Sequence, residues 1–566
     1  MMKAPNANGS DGSLTAPDGC PDGLEFCKCL ITRNVDGLTG KTPPGSPLHD
    51  PPRPARHLDA HSNPGTRALD GRASQAQLAL RSAFGGGGSN LVQPSPTKSN
   101  HPLPHPGRQN HGSSLKFGIW SSGAWCLVLG ASLLASAITN SQSQTLLLSG
   151  ATVHTVSGET FSPGQVLIQN GKIAAVGATV SGGGAQTIDL KGQHLYPGII
   201  AMDTLLGLTE IGAVRATQDS TEVGEFTPDV ESWIAVNPDS ELIPVTRANG
   251  IAYFEPVPEG GVISGQSGLV ATEGWTSEQR AIKKPIALHL FWPRMDLDPS
   301  TRERGGRRGG AGKAKSVEEQ ATERRAKLRA TQDFFEEAKA YAKAKDASSK
   351  GSVSAPEKVP AWEAMLPYVR GELPVMVHAD ETRQIKAAVD WAETNHYKMI
   401  LVGARDAWMN ADLLASKKIP VVYSDTFTLP SHDTESYDVH FKAPEILRKA
   451  GVQVVFGNGL SSMDAALTKN LPYSAAQAVA FGMPEAEALK GITLYPAQLA
   501  GVADRLGSIE TGKEATLFAA DGEILDIRAH VKRMWVAGKE ISLENRHSRF
   551  YDKYKNRPRG IESRPE

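Results

Sequence analysis

A few side chains able to do chemistry stand at the ends of apolar runs, where a strand would hold them in place. His378 closes Pro374-Val375-Met376-Val377, and Asp203 and Thr204 follow Ile199-Ile200-Ala201-Met202. Asn458 lies between Gly457 and Gly459, directly after Val454-Val455-Phe456. These four, Asp203, Thr204, His378 and Asn458, are the candidate substrate-binding residues, although His378 also suits a structural role and Asp203 and Thr204 also suit turn or capping positions. Beyond Val421-Val422-Tyr423 comes a dense set of carboxylates and imidazoles, Asp425, His432, Asp433, Glu435, Asp438 and His440. Glu210, Arg215, Asp219 and Glu222 read as pocket-rim or salt-bridged residues. Thiol chemistry is excluded from the part after residue 137, because all four cysteines (Cys20, Cys27, Cys29, Cys126) precede it. The Cys27-x-Cys29 pair lacks the spacing and the second ligand pair of a zinc site.

Positioning such residues requires strands, and the middle of the chain supplies them. Short β-branched runs at 373–378, 399–403, 419–423 and 452–457 alternate with amphipathic helical stretches at 381–395 and 407–417. That alternation predicts parallel strands with crossover helices. Residues 244–272, rich in Gly and Val, read as several short strands or loops. Antiparallel strands are predicted at 145–155, 164–169 and 171–177, with Asn170-Gly171 as a hairpin turn. Further strands at 515–519 and 531–536 lead to a turn at 537–539, so both ends contribute to one small β-unit.

The chain carries 60 Lys and Arg against 61 Asp and Glu, a formal net charge of −1, which gives no basis for a nucleic-acid partner. An Arg- and Gly-rich block at 296–316 and a polar helix at 317–345 read as a solvated loop plus a surface helix, because no aromatics interleave. Residues 1–114 are of low complexity and are expected not to belong to the native protein, the alternative being a disordered N-terminal extension. Lys116 then precedes an apolar stretch, 117–137, ending Ala135-Ser136-Ala137. Residues 115–137 have the form of a signal peptide cleaved near Ala137, with Leu115 as the true start, and predict a periplasmic or extracellular protein without a stable membrane span.

Near both ends of the exported part, the sequence resembles the amidohydrolase superfamily. The matching stretches are LLLSGATVHTVSGE, VLIQNGKIAAVG and Leu195-Tyr196-Pro197-Gly198-Ile199-Ile200 at the start, and Leu506-Gly507-Ser508-Ile509-Glu510-Thr511-Gly512-Lys513-Glu514-Ala515-Thr516-Leu517 at the end. The resemblance implies a (β/α)8 TIM-type barrel at 198–505, interrupted by a polar insertion at 296–360. It further implies a composite β-sandwich from 145–197 and 506–545, followed by a polar tail at 546–566. It also implies a divalent metal, zinc, that activates water at the C-terminal ends of the barrel strands.

By the same resemblance His378 is the ligand of strand 5, and Asp203 stands where the first strand's leading histidine would be. Leu205 replaces the second histidine, Leu401-Val402-Gly403-Ala404 carries no strand 6 imidazole, and Gly457-Asn458-Gly459 carries no strand 8 carboxylate. The acidic and imidazole cluster after Tyr423 reads as a solvated surface loop, with replacement ligands beside His378 as the alternative. Two functions follow. One is a hydrolase of carbon–nitrogen bonds in a cyclic amide or dipeptide-like small molecule; the other is an inactive relative that binds a ligand or protein partner in the cell envelope. A homo-oligomer is compatible with either.

Overall fold

The computed structural model describes residues 145–299, 315–351 and 354–557. The low-complexity start, the signal-like segment 115–137, residues 300–314 and residues 558–566 lie outside them. Strands β1 (Leu146–His154), β2 (Thr160–Gln169) and β3 (Lys172–Gly177) form an antiparallel meander. Its second turn is Asn170-Gly171, with φ of 54° and 75°, the double positive φ that a primed two-residue hairpin needs. Strands β4 (Gln186–Asp189) and β5 (His194–Pro197) then run parallel to β1.

Gly198 passes the chain from this sheet into the next. A Cβ there would meet Ala252 Cβ at 2.6 Å and Thr516 Cγ2 at 3.0 Å, so only glycine allows the crossing. Eight strands follow: β6 (Ile199–Thr204), β7 (Ile251–Pro256), β8 (Ile263–Ala271), β9 (Ala281–Phe291), β10 (Val375–Ala379), β11 (Met399–Gly403), β12 (Val421–Tyr423) and β13 (Val454–Gly459). They close into a barrel, with β13 returning to pair in parallel with β6. Afterwards β14 (Leu517–Ala520) pairs antiparallel with β5, and β15 (Val531–Val536) and β16 (Lys539–Ile541) extend the sheet. The two ends therefore do combine as expected, although the pairing runs through one branched eight-stranded sheet rather than the two separate layers of a sandwich.

The expected eight-fold β/α repeat needs a second correction. Strand β8 is antiparallel to both β7 and β9, whereas every other adjacent pair in the barrel is parallel. The cause is the connection: residues 257–262 join β7 to β8 through Gly260 and Gly261, both at positive φ. So short a link can only fold back, because a parallel crossover takes a dozen residues or more.

From β10 to β13 the side chains alternate between two cores. Met376, Ile400, Val402, Val422 and Val455 fall in the cluster that fills the barrel. Val375, Val377, Leu401, Val421 and Val454 fall in the cluster beneath the helices. Burial on both faces makes these strands read as continuous apolar runs.

Helix α1 (Val317–Ser349) covers part of that outer layer, with α2 (Thr382–Asn395) and α3 (Val439–Ala450) beside it in sequence order around the barrel. On α2, Ile385, Ala388, Val389 and Ala392 recur at helical spacing and are buried. The purely solvated character expected of α1 is corrected. Thr331, Phe335, Ala338 and Ala342 form a buried stripe, and the Phe335 ring lies 5.0 Å from that of Trp391 and 5.1 Å from that of Tyr397. A narrow apolar stripe in an otherwise charged helix is easily overlooked. Phe335→Ala is expected to cost about 3–5 kcal/mol in urea unfolding; a loss below about 1 kcal/mol would show that α1 contributes little to the fold.

Candidate active site at the barrel mouth

The C-terminal ends of the parallel strands surround a cavity of about 650 Å³. Asp203, His378, Asp380, Ser424, Asp425 and Asn458 line it. Three of the four expected binding residues, Asp203, His378 and Asn458, are thus brought together. Thr204 is not: its Oγ1 shares a 2.7 Å hydrogen bond with Thr468 Oγ1 and accepts one from the Leu206 amide, which ties down the turn after β6.

Asp203 has a left-handed backbone, φ 56°, an uncommon conformation for a residue other than glycine. Its Oδ2 accepts a 2.6 Å hydrogen bond from Ser424 Oγ, and its amide donates to Glu255 Oε2 at 3.3 Å. Its Oδ1 is buried without a hydrogen-bond partner, 3.9 Å from His378 Nδ1. Burial pushes the carboxyl up to about 8, against the opposing hydrogen bond from Ser424. A Cβ on Gly457 would lie 2.4 Å from Ser424 Oγ, so the small residue at the expected strand 8 position leaves room for the Ser424–Asp203 contact.

His378 stacks on Phe291, with ring centroids 4.1 Å apart and planes 7° from parallel. Its Nε2 shares a 2.9 Å hydrogen bond with Nδ1 of His289, whose Nε2 in turn lies 3.5 Å from Glu255 Oε1. His289 and the Glu255 side chain are fully buried, and Glu255 Oε1 also accepts from Ser267 Oγ at 2.7 Å. His289 Nε2 makes no hydrogen bond at this separation, but a proton placed on it faces the Glu255 carboxyl and would leave Nδ1 as the acceptor. In that tautomer His378 donates from Nε2 and presents a bare Nδ1 to Asp203. Burial, with His289 alongside, holds His378 well below the usual imidazole range.

Sequence reasoning missed Glu255 and His289. The available signal was a titratable residue inside an apolar run, Tyr253-Phe254-Glu255 and Ala287-Leu288-His289-Leu290.

The acidic and imidazole cluster after β12 divides. Asp425 lines the cavity and is pushed up to about 6 by burial and then by Asp380. Asp438 pairs with Lys442 at 2.6 Å, His440 shares a 2.9 Å hydrogen bond with Tyr423 Oη, and Asp433 is exposed. His432 and Glu435 converge instead with Asp406, beyond the end of β11. On the other side, Glu210 accepts from Ser240 Oγ at 2.5 Å, while Arg215, Asp219 and Glu222 are exposed and do not line the cavity.

A catalytic zinc takes three protein ligands and a water. At the mouth, Asp203 Oδ1 and His378 Nδ1 face one another, but among the described residues no third His, Asp or Glu atom joins them, and His378 Nε2 is occupied by His289. The residues present do not fit a tightly held catalytic metal.

Residues 369–543 match the model of the amidohydrolase family. Amidohydrolase tasK of Hapsidospora irregularis is 22% identical over 400 residues, a match covering 66% of this chain and 39% of that protein, so the chain spans well under half of that relative's length. An amidohydrolase structure from Thermotoga maritima is 25% identical, covers 70% of this chain and 99% of its own, and superposes with a TM-score of 0.60. Together the family match, the relative and the solved structure support an amidohydrolase superfamily member.

Buried Asp203 makes stability depend on pH. With a value near 8 when folded and about 3.9 when unfolded, the folded state holds a proton that the unfolded chain lacks between those limits. Its stabilising contribution is present below about pH 4 and is lost as pH rises through about 8, with a slope of up to about 1.4 kcal/mol per pH unit. In urea titrations, Asp203→Asn should therefore gain stability relative to wild type as pH rises from 5 to about 8; parallel stability curves for the two proteins would contradict this.

Proposed function

We propose that the barrel mouth hydrolyses a carbon–nitrogen bond in a small amide, either a cyclic amide or a dipeptide-like molecule, using Asp203 and His378 to move protons. The observation carrying this proposal is the buried, unpartnered Asp203 Oδ1 facing His378 Nδ1 across 3.9 Å on the cavity floor. His378 Nδ1 takes a proton from water as the oxygen attacks the carbonyl carbon, and the resulting imidazolium leans on His289 and, through it, on Glu255. Asp203, neutral at pH 7 because of its burial, gives its proton to the departing nitrogen as the carbon–nitrogen bond breaks. A proton passing from His378 to Asp203 then restores the starting state. The Asn458 amide, on the same wall, is the side-chain donor assigned to the carbonyl oxygen.

Amidohydrolase resemblance supports the hydrolase class. Among the described residues no helix is long and apolar enough to cross a membrane. Export through residues 115–137 belongs to the same proposal and would place the substrate outside the cytoplasm.

The shortage of metal donors at the mouth favours a second reading, a relative that only binds its ligand. Incubation of the purified protein with a panel of cyclic amides, N-acyl amino acids and dipeptides, followed by mass spectrometry, separates the two. The hydrolase reading predicts turnover that falls at least about 100-fold in both Asp203→Asn and His378→Ala, with the fold retained by circular dichroism. Turnover unchanged in both variants would overturn the roles assigned here. Saturable binding without turnover would select the binding reading.

A further inference from the structure

A second convergence of donor atoms lies outside the proton-transfer residues. Asp406, His432 and Glu435 each offer one ligand atom, and the three atoms lie within 4.8 Å of one another. His432 Nε2 is 3.6 Å from Asp406 Oδ2 and 3.8 Å from Glu435 Oε1. Ligand atoms about 2.0–2.1 Å from a tetrahedral zinc are separated by roughly 3.4 Å, so the two distances from His432 exceed that spacing by only a few tenths of an ångström, and the two carboxylate oxygens lie within 4.8 Å of each other. His432, with its side chain half exposed, is free to make that adjustment.

The two carboxylates are held as a ligand shell would need. The Thr382 amide donates to Asp406 Oδ2 at 3.1 Å. Glu435 Oε2 accepts from the amides of Ser431 at 2.8 Å and His432 at 3.1 Å, which fixes the group and leaves the other oxygen unused. That oxygen, Oε1, is buried without a hydrogen-bond partner on a side chain only 4% exposed, and it is the one directed at His432. Asp406 is also buried, and its Oδ1 likewise has no hydrogen-bond partner. Two carboxylates balance the charge of a divalent ion, and Arg405 Nε lies 3.7 Å from Asp406 Oδ1, on the side away from the imidazole-facing Oδ2. An unpaired buried carboxylate oxygen is costly, and a cation held between Glu435 Oε1, Asp406 Oδ2 and the imidazole would remove that cost at Glu435.

We propose that Asp406, His432 and Glu435 bind one divalent transition-metal ion of the zinc type, with water completing the shell. One imidazole nitrogen and two carboxylate oxygens favour such an ion over calcium or magnesium, which take oxygen donors throughout. The position gives the ion a task. Asp406 follows β11 on the barrel, whereas His432 and Glu435 lie on the segment after β12 whose residues Asp425, Thr426, Phe427 and Thr428 line the cavity. The ion ties that segment to the barrel and so fixes one wall of the cavity. It stands apart from the proton-moving pair and does not depend on the hydrolase reading.

The test uses untagged full-length protein, stripped with chelator and dialysed against about 10 µM zinc, with bound metal counted by mass spectrometry. Wild type and His378→Ala should each hold about one equivalent, and His432→Ala and Glu435→Gln less than about a tenth. His432 is half exposed, so its removal leaves the fold intact, which circular dichroism verifies. Zinc should also slow proteolytic cleavage within residues 424–438 in wild type and not in His432→Ala. The proposal is overturned if wild type binds no zinc, with His432 acting only as a protonated partner to the two carboxylates. It is equally overturned if the equivalent survives in His432→Ala and Glu435→Gln, or if it disappears in His378→Ala, which would put the metal at the barrel mouth.

Discussion

Glu255, His289, His378 and Asp203 are titratable groups held out of water at one end of a closed barrel, with side chains that meet nose to tail. Removing such groups from solvent is tolerable only if each finds a partner or stays uncharged. Most of the site follows from that constraint. The Glu255 carboxyl beside His289 favours the tautomer pair in which His378 donates from Nε2, and burial favours the acid form of Asp203. Ser424 supplies the one hydroxyl on Asp203, and Gly457 leaves space for it.

The barrel brings these groups together from strands distant in sequence. Glu255 sits near the end of β7, His289 near the end of β9, His378 near the end of β10, and Asp203 near the end of β6. Closure puts β6 beside β7 and β9 beside β10, while the reversed β8 bridges β7 and β9 and contributes Ser267 to the same network. The reversal therefore takes part in the site rather than merely departing from a regular barrel.

Much of the framework was legible in the sequence because its signals are local. Period-two runs and the Asn170-Gly171 turn located the terminal hairpin, and residues 399–403 and 531–536 read directly as the strands they form. The run 407–417 was legible only in part, since it breaks into a short 3-10 turn at Ala407–Asn410 and a helix at Ala411–Ser416. The direction of β8 was not legible: all nine of its residues are buried, so it carries no inside–outside alternation, and strand direction is set by a loop. His378, Asp203 and Asn458, which line one cavity, could be singled out because each ends an apolar run. Glu255 and His289 were missed because their significance is wholly tertiary: nothing adjacent in the chain reveals that two such residues, 34 positions apart, meet across a reversed strand.

Protonation at the two histidines is where the account is most exposed. Nitrogen-15 NMR of full-length protein labelled only in histidine reads it directly at pH 7. A proton on His378 Nε2, with Nδ1 bare, neutral and metal-free, is the predicted spectrum. A proton on Nδ1, a cationic ring, or the shift of a metal-bound nitrogen would contradict the proton-transfer arrangement at the barrel mouth.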